Sequence, residues 1–414
     1  MRILVCDDKP SQCDRTMRAI GERGEVTPLA GVGMKEALTT LFEGISQLLN
    51  GNGKSEEWEC PAEFRGYDVA IVDNDLTVLG LQGARLTAET IIGYLRAFTE
   101  IPYIVSLNKN LHVDFDLRYL FGDYQSLADL ALNTKHLRNG RLWEAEATEE
   151  FSPWYWPRLA EAADRRREQV RFLETRFEEP VWEAMRFPVE AEEYLSPRAK
   201  SPLSSTEVDA REASFAVFFE GSRTLPPSEI EKLKDLALSK VDFASKAVRR
   251  ITAYEVDRWL RRDVLGTQDV LIDLAHLVAQ MPFLLGGNAS DLDCWNEAIA
   301  CEERPFGLDG PLFETYLEPA RFGHWMWVPG PCFWWPTLKA DEVLTERFFE
   351  AEGDWLDAVF CEDASRFVSV TADGDVESPK EFQAEIEGSW ARRYIVEAGD
   401  YLYSPRSRIV GSVA

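Results

Sequence analysis

Two stretches, RILVCDD (2–8) and YDVAIVDND (67–75), decide the fold of the first third of the chain. Each is a short, continuous apolar run with β-branched residues, and each ends in aspartate. Such runs are typical of strands that are buried on both faces of a parallel sheet. EVTPLAG (25–31) and IPYIVSL (101–107) complete a set of four predicted strands.

Segments with helical periodicity separate these strands, at 11–24, 35–51 and 86–100. Alternation of strands and helices is typical of a doubly wound α/β sheet whose strands run parallel. We therefore predict a flavodoxin-like domain over residues 1–145, although no fifth strand is evident after residue 110.

Aspartates stand at the predicted carboxyl ends of these strands. Asp7 and Asp8 follow the first strand, Asp73 closes the third, and Asp75 lies two residues further on. The carboxyl ends of parallel strands share one edge of the sheet, so these side chains should meet there. Crowded carboxylates need a cation, and oxygen ligands suit Mg²⁺. The sequence predicts a magnesium site formed by Asp7, Asp8 and Asp73, with the carbonyl of Asp75 as a further ligand.

Two plainer interpretations of these aspartates stay open. Asp7 and Asp8 would also stabilise the positive N-terminus of the first helix. Asp73 would serve equally well as a hydrogen-bonded carboxylate in a turn that takes part in no reaction.

Over roughly residues 1–110 the chain resembles the receiver domain of bacterial response regulators, on the segments ILVCDDKPSQ, YDVAIVDNDLTVLG and IPYIVSLN. The resemblance implies that Asp73 is the phospho-acceptor, while Asp7 and Asp8 hold Mg²⁺. It also implies that Ser106 is the switch hydroxyl that turns toward the phosphoryl group.

One element of the receiver pattern has no match. The resemblance implies a lysine, usually followed by proline, after the fifth strand, and the expected window contains no Lys-Pro pair. Lys109 follows the fourth strand directly, and Lys135 lies beside His136 in a helical pattern. A pseudo-receiver that keeps the fold but accepts no phosphoryl group is therefore the alternative.

The remaining two thirds of the chain predict a larger mixed α+β region. Residues 150–290 are mainly helical in pattern, with a Pro- and Ser-rich linker near 190–212 and a single buried helix at 267–285. Residues 291–414 form a β-rich, Trp-rich region, in which 366–379 and 393–405 predict strands joined by Asp-Gly turns.

Aromatic residues are dense in FGHWMWVPGPCFWWP (322–336). One interpretation is a pocket for a planar ligand, and the other is a hydrophobic core or a partner interface. The candidate pocket residues are His324, Trp325, Trp327, Trp334 and Trp335.

The amino-acid composition limits the classes of partner and the compartment that we expect for this chain. Acidic residues outnumber basic ones, 72 to 45, and the net charge of −27 is spread along the chain. Such a charge repels phosphate backbones, so nucleic acid is not an expected partner. Seven cysteines without a CxxC pair favour a reducing cytoplasm. No apolar stretch has the length of a membrane span, so we expect a cytoplasmic protein without a membrane partner.

These patterns favour a bacterial signalling protein in which the receiver-like domain controls a C-terminal output that acts through protein contacts. The expected partners are a histidine kinase or the subunits of a complex. Two other hypotheses remain: an enzyme or small-ligand sensor with its site around His324, and a structural subunit of a multiprotein assembly.

Overall fold

The computed structural model of the chain describes residues 1–51, 58–76, 79, 87–108, 115–116, 126–144, 157–204, 209–300, 310–328, 330–350, 356, 358–361, 364–369 and 401–402.

A five-stranded, all-parallel sheet organises the first third of the chain, in the spatial order β2-β1-β3-β4-β5. The α/β class predicted from the alternating pattern is confirmed, and this order is consistent with a flavodoxin-like fold. The strands are β1 (Arg2–Asp7), β2 (Glu25–Ala30), β3 (Val69–Asp73), β4 (Tyr103–Leu107) and β5 (Leu130–Leu132).

The fifth strand has no counterpart among the predicted elements. It consists of only three residues, Leu130–Leu132, and pairs with the last three residues of β4. Three residues are too few to carry a recognisable periodicity, so only the pairing with β4 identifies them as a strand.

Helices cover both faces of this sheet. α1 (Pro10–Ile20) and the first turn of α4 (Leu159–Arg176) share one buried core with β1, β3 and β4. α2 (Gly31–Leu49) and α3 (Ala88–Phe98) share the other. Their apolar residues lie three and four positions apart, which is the spacing that predicts each helix from the sequence.

Two later helices extend the second core. α5 (Pro227–Leu238) and α6 (Asp242–Trp259) contribute buried side chains to the core that contains α2 and α3. α6 continues into a π-helical turn at Leu260–Leu265. The α/β domain and the helical region that follows it therefore share one continuous hydrophobic core.

The segment near 190–212, which the sequence predicts as a linker, contributes buried side chains to a core. It contains the short helices Ala191–Tyr194 and Pro197–Lys200 and a 3₁₀ turn at Ser201–Leu203. Its buried apolar residues recur every fourth position, and they pack in one core with the helices Val181–Ala184 and Phe215–Glu220; they are Ala191, Leu195, Ala199 and Leu203.

The prediction of one helix over 267–285 is wrong. Residues Leu271–Asp273 form a strand, β6, that pairs antiparallel with β7 (Cys332–Trp334). A helix follows at Leu274–Gln280, then a 3₁₀ segment at Pro282–Asn288. The Asp273 side chain accepts a hydrogen bond from the backbone of His276, which marks the helix start within the predicted helix.

The described part of the C-terminal region contains more helix than strand, whereas the sequence predicts a β-rich region. Its helical segments are α7 (Leu292–Ala300), residues 310–320, Trp335–Lys339 and α8 (Glu342–Glu350). Its strands, besides β7, are β8 (Ala358–Cys361) and β9 (Arg366–Ser369), which form an antiparallel pair.

The predicted strand at 366–379 is confirmed for Arg366–Ser369, and its remainder lies outside the described residues. Of the strand predicted at 393–405, only Tyr401–Leu402 is described, and it pairs parallel with Phe115–Asp116. Among the described residues, no helix is both long and apolar enough to cross a lipid bilayer.

Candidate functional site

The carboxyl edge of the sheet brings three aspartates together. Asp7 ends β1 and Asp73 ends β3, and these strands are neighbours in which Cys6 pairs with Val72. One step further along both strands sets Asp7 beside Asp73, and Asp8 follows directly. Each of the three offers a carboxylate oxygen, and these oxygens lie within 4.8 Å of one another.

All three aspartates are buried, with exposed fractions of 1% for Asp7, 7% for Asp8 and 3% for Asp73. Carboxylates rarely remain buried unless they are paired or coordinate an ion. This convergence is the arrangement that the sequence predicts from the ends of the strands.

The turn between β1 and α1 does not use the aspartates as helix caps. Lys9 is the N-cap residue of α1, and Pro10 is its first residue. The Lys9 N–H donates to Asp7 Oδ1 at 2.9 Å, which holds Asp7 at the strand end. Within the described residues, no side chain forms a capping hydrogen bond to α1, although both aspartates directly precede the positive N-terminus of this helix.

Asp8 is the least satisfied member of the cluster. Among the described residues, neither of its carboxylate oxygens has a hydrogen-bond partner, and both are buried. Burial raises the pKa of Asp8, and the carboxyls of Asp7 and Asp75 raise it further, while the Lys9 ammonium lowers it. Asp7 and Asp8 can hydrogen-bond to each other only when they share a proton.

The donor set fits a hard divalent cation. Three buried carboxylates present only oxygen ligands, and the bare oxygens of Asp8 are the groups that such an ion would satisfy. Asp7, Asp8 and Asp73 are therefore the residues that would hold Mg²⁺. Asp75 is exposed at the start of the loop after β3, close enough for its charge to raise the pKa of Asp8.

Ser106 lies one residue before the position opposite Asp73. It is buried in β4 and pairs with Val72, whereas Leu107 pairs with Asp73. Successive side chains of a strand point to opposite faces, so Ser106 shares the face of Val72 and not that of Asp73.

The residue that follows β5 is an asparagine and not the lysine that the receiver resemblance implies. Asn133 follows Leu132 directly, and its side chain accepts a hydrogen bond from the His136 N–H at 2.9 Å. Lys135 is exposed and precedes a 3₁₀ turn. Lys109 lies outside the described residues.

Lys9 is not among the site residues that the sequence predicts. Its ammonium nitrogen lies 3.9 Å from Asp8 Oδ2. The only signal in the sequence was its position directly after the acidic pair, where a basic side chain has the reach to fold back over a carboxylate.

The aromatic residues of 324–335 do not share one pocket. Trp334 packs against Phe187 and Phe322 in the core that also contains Trp259, while Trp335 belongs to the core around α7. Trp327 is buried in the first of these cores, and Trp325 is 59% exposed.

His324 is half-buried near the edge of the first core. Its ring lies 5.5 Å from that of Phe172 and 5.4 Å from that of Phe322. The geometry therefore supports the hydrophobic-core interpretation for Trp327, Trp334 and Trp335.

No protein-family model, curated protein or solved structure matches this chain.

Proposed function

We propose that this chain is a regulatory protein whose receiver-like N-terminal domain accepts a phosphoryl group on Asp73 while Mg²⁺ is bound by Asp7, Asp8 and Asp73. The observation that carries the proposal is the convergence of three buried carboxylates at the edge of a parallel sheet, with both oxygens of Asp8 lacking a hydrogen-bond partner among the described residues. A site that only stabilised the fold would be expected to satisfy a buried carboxylate.

Asp73 has the position that phosphoryl transfer requires. It ends a central strand, so its backbone is held by pairing with Leu107 of β4. With acetyl phosphate as donor, a carboxylate oxygen of Asp73 forms a new bond to phosphorus. The bond from phosphorus to the acetate oxygen breaks, and acetate leaves with the electron pair. Bound Mg²⁺ would neutralise negative charge on the transferring group.

The residues of this chain prepare that reaction in two ways. The Lys9 N–H holds Asp7 in a fixed orientation, and the carboxylates of Asp7 and Asp8 provide ligands beside Asp73. The proposal gives no switch role to Ser106, because that residue pairs with Val72.

An output through protein contacts is supported by how the helical region joins the sheet. α6 packs against α3 and α4, and Tyr254 of α6 donates a hydrogen bond to the carbonyl of Ser126, ahead of β5. These contacts connect the later helices to α3, to α4 and to the segment beside the amino end of β5. A histidine kinase would be the physiological donor, and the net charge of −27 disfavours nucleic acid as the target.

The test is intact-mass measurement after incubation with acetyl phosphate and Mg²⁺. We expect one added phosphoryl group on the wild type. We expect no added group when EDTA chelates the Mg²⁺ during the incubation, and none on Asp73→Asn. Asp75→Asn is the matched control, because it removes an exposed carboxylate two residues away and should leave labelling intact.

Absence of an adduct on the wild type, with the fold intact by circular dichroism, would contradict the phospho-acceptor role and leave a pseudo-receiver scaffold. Equal labelling of wild type and Asp73→Asn would place the acceptor on another residue.

A further inference from the structure

Lys9 lies between the acidic cluster and the first helix, and its backbone is held on both sides. Its N–H donates to Asp7 Oδ1, and Pro10 begins α1 directly after it. Proline restricts the conformation of the residue before it, and Lys9 has the extended backbone that this restriction favours, with φ −119° and ψ 115°. The side chain, in contrast, is 53% exposed and therefore has room to move.

The ammonium group of Lys9 contacts Asp8 only loosely. Its Nζ lies 3.9 Å from Oδ2, which is an ion-pair distance but too long for a hydrogen bond. The Asp8 side chain itself is 1% exposed. The buried carboxylate is thus partly neutralised by a mobile charge and is not saturated by it.

Lys9 and a divalent cation cannot both occupy Asp8. An ion bound by Asp8 would bring two positive charges against the carboxylate, within a few ångströms of the present position of Nζ. Like charges at such a distance repel one another. The lysine side chain has to leave when the ion binds, and its exposure to solvent allows this.

We propose that Lys9 is a built-in competitor of the divalent cation, whose ammonium group occupies Asp8 until the ion displaces it. Lys9 thereby sets the ion concentration at which the site becomes loaded. This inference deepens the proposed function, because it rests on metal binding by Asp7, Asp8 and Asp73.

The test is isothermal titration of the full chain with Mn²⁺ alone and with Mg²⁺ alone. Removal of the competing charge in Lys9→Gln should tighten ion binding about threefold, the size expected for losing one half-exposed ion pair. Lys9→Arg keeps the charge and should bind the ion about as the wild type does.

A charge-matched control separates this contact from the general effect of net charge. Lys246→Gln removes one positive charge from the exposed surface of α6, where Lys246 pairs only with the exposed Asp242 among the described residues. We expect its affinity for the ion to equal that of the wild type.

Equal affinities of wild type and Lys9→Gln, or an equal gain in Lys246→Gln, would overturn the inference. Failure of both wild type and Lys9→Gln to bind any ion would contradict the inference together with the metal site. Tighter binding by Lys9→Gln, with no labelling of Asp73 by acetyl phosphate, would uphold the inference and remove only the phospho-acceptor role.

Discussion

Asp129 and Arg166 form a buried ion pair, with 2.7 Å between Asp129 Oδ1 and Arg166 Nη2 and neither side chain more than 4% exposed. Asp129 immediately precedes β5, and Arg166 lies on α4. The same Nη2 lies 3.0 Å from Asp257 Oδ2 on α6. One guanidinium group therefore connects the edge of the sheet to the later helical region.

The other oxygen of Asp129 is also satisfied. Oδ2 accepts hydrogen bonds from Arg96 at 3.0 Å and from the Ile104 N–H at 2.7 Å. Burial by itself would raise the pKa of Asp129, but Arg96, Arg166 and the Ile104 N–H outweigh it and hold the pKa below its usual range. The stability that Asp129 contributes is therefore fully present above the pKa of Asp129 in the unfolded chain. It is lost as the pH falls from that pKa through the lower pKa of the folded protein.

We predict that Arg166→Gln destabilises the fold by about 3 kcal/mol, because it leaves two buried carboxylates with an incomplete set of partners. Arg167→Gln is the matched control on the same helix. Arg167 pairs with Asp68 at a partly exposed position, so its loss should cost less than about 1 kcal/mol. Urea unfolding at pH 7 measures the free energy of unfolding of both variants. Equal losses in the two variants would contradict a larger contribution from the buried ion-pair network than from the exposed pair.

We predict that Asp8→Asn raises the unfolding temperature of the metal-free protein. The pKa of Asp8 is raised in the fold, so the folded state holds its proton more tightly than the unfolded chain does. Stability therefore falls as the pH rises from the unfolded pKa through the folded one, and the ionised carboxylate stays unfavourable at pH 7. Differential scanning calorimetry at pH 7, with EDTA present, should show a rise of about 2 °C or more.

We predict that Mg²⁺ reverses the order of the unfolding temperatures, so that the wild type unfolds at a higher temperature than Asp8→Asn. The ion binds the folded wild type and raises its unfolding temperature, whereas Asp8→Asn has lost a ligand and should gain little. Asp14→Asn, an exposed aspartate of α1, should behave as the wild type in both conditions. A lower unfolding temperature for metal-free Asp8→Asn would show that Asp8 stabilises the fold without an ion.

We predict that His324 makes stability depend on pH between about 6.5 and about 4. Burial lowers the pKa of His324 to about 4, and Arg186 and Arg176 add to the effect. In the unfolded chain histidine titrates near 6.5. The unfolded state therefore takes up a proton first as the pH falls, so stability is complete above 6.5 and declines below it.

His324→Gln removes this titration. Its free energy of unfolding should fall less between pH 7 and pH 5 than that of the wild type, as measured by urea unfolding at both pH values. The same fall in both proteins would contradict the assignment to His324.

We predict that Gly93→Ala destabilises the fold by about 1–3 kcal/mol. Gly93 lies on α3, and a Cβ atom there would stand 2.5 Å from the backbone oxygen of Thr224. The loop cannot easily retreat, because Thr224 Oγ1 donates to Glu255 of α6 at 2.9 Å.

The control for this clash is Gly33→Ala on α2. A Cβ at Gly33 would meet no other atom within 4 Å, so the change should stabilise the helix by about 0.5–1 kcal/mol. Thermal and urea unfolding should both show a lower stability for Gly93→Ala and a higher stability for Gly33→Ala than for the wild type. A gain for Gly93→Ala would contradict the close approach of α3 to the loop before α5.

The amino-acid sequence by itself determined the four longer strands, α1 to α3 and the meeting of Asp7, Asp8 and Asp73. Each of these depends on a pattern read within a few residues: a continuous apolar run, an apolar spacing of three or four, or an aspartate at the end of a strand. Parallel strands bring their carboxyl ends to one edge, so placing the strands also placed the aspartates.

Only the tertiary structure decided which residues lie opposite one another. The register of β4 against β3 put Leu107, and not Ser106, beside Asp73. Packing against β4 made a strand of Leu130–Leu132, and the aromatic residues of 324–335 were divided between two cores. These outcomes, like the bridge from Asp129 through Arg166 to Asp257, join residues far apart in the chain, and a local pattern of hydrophobicity carries no information about such pairings.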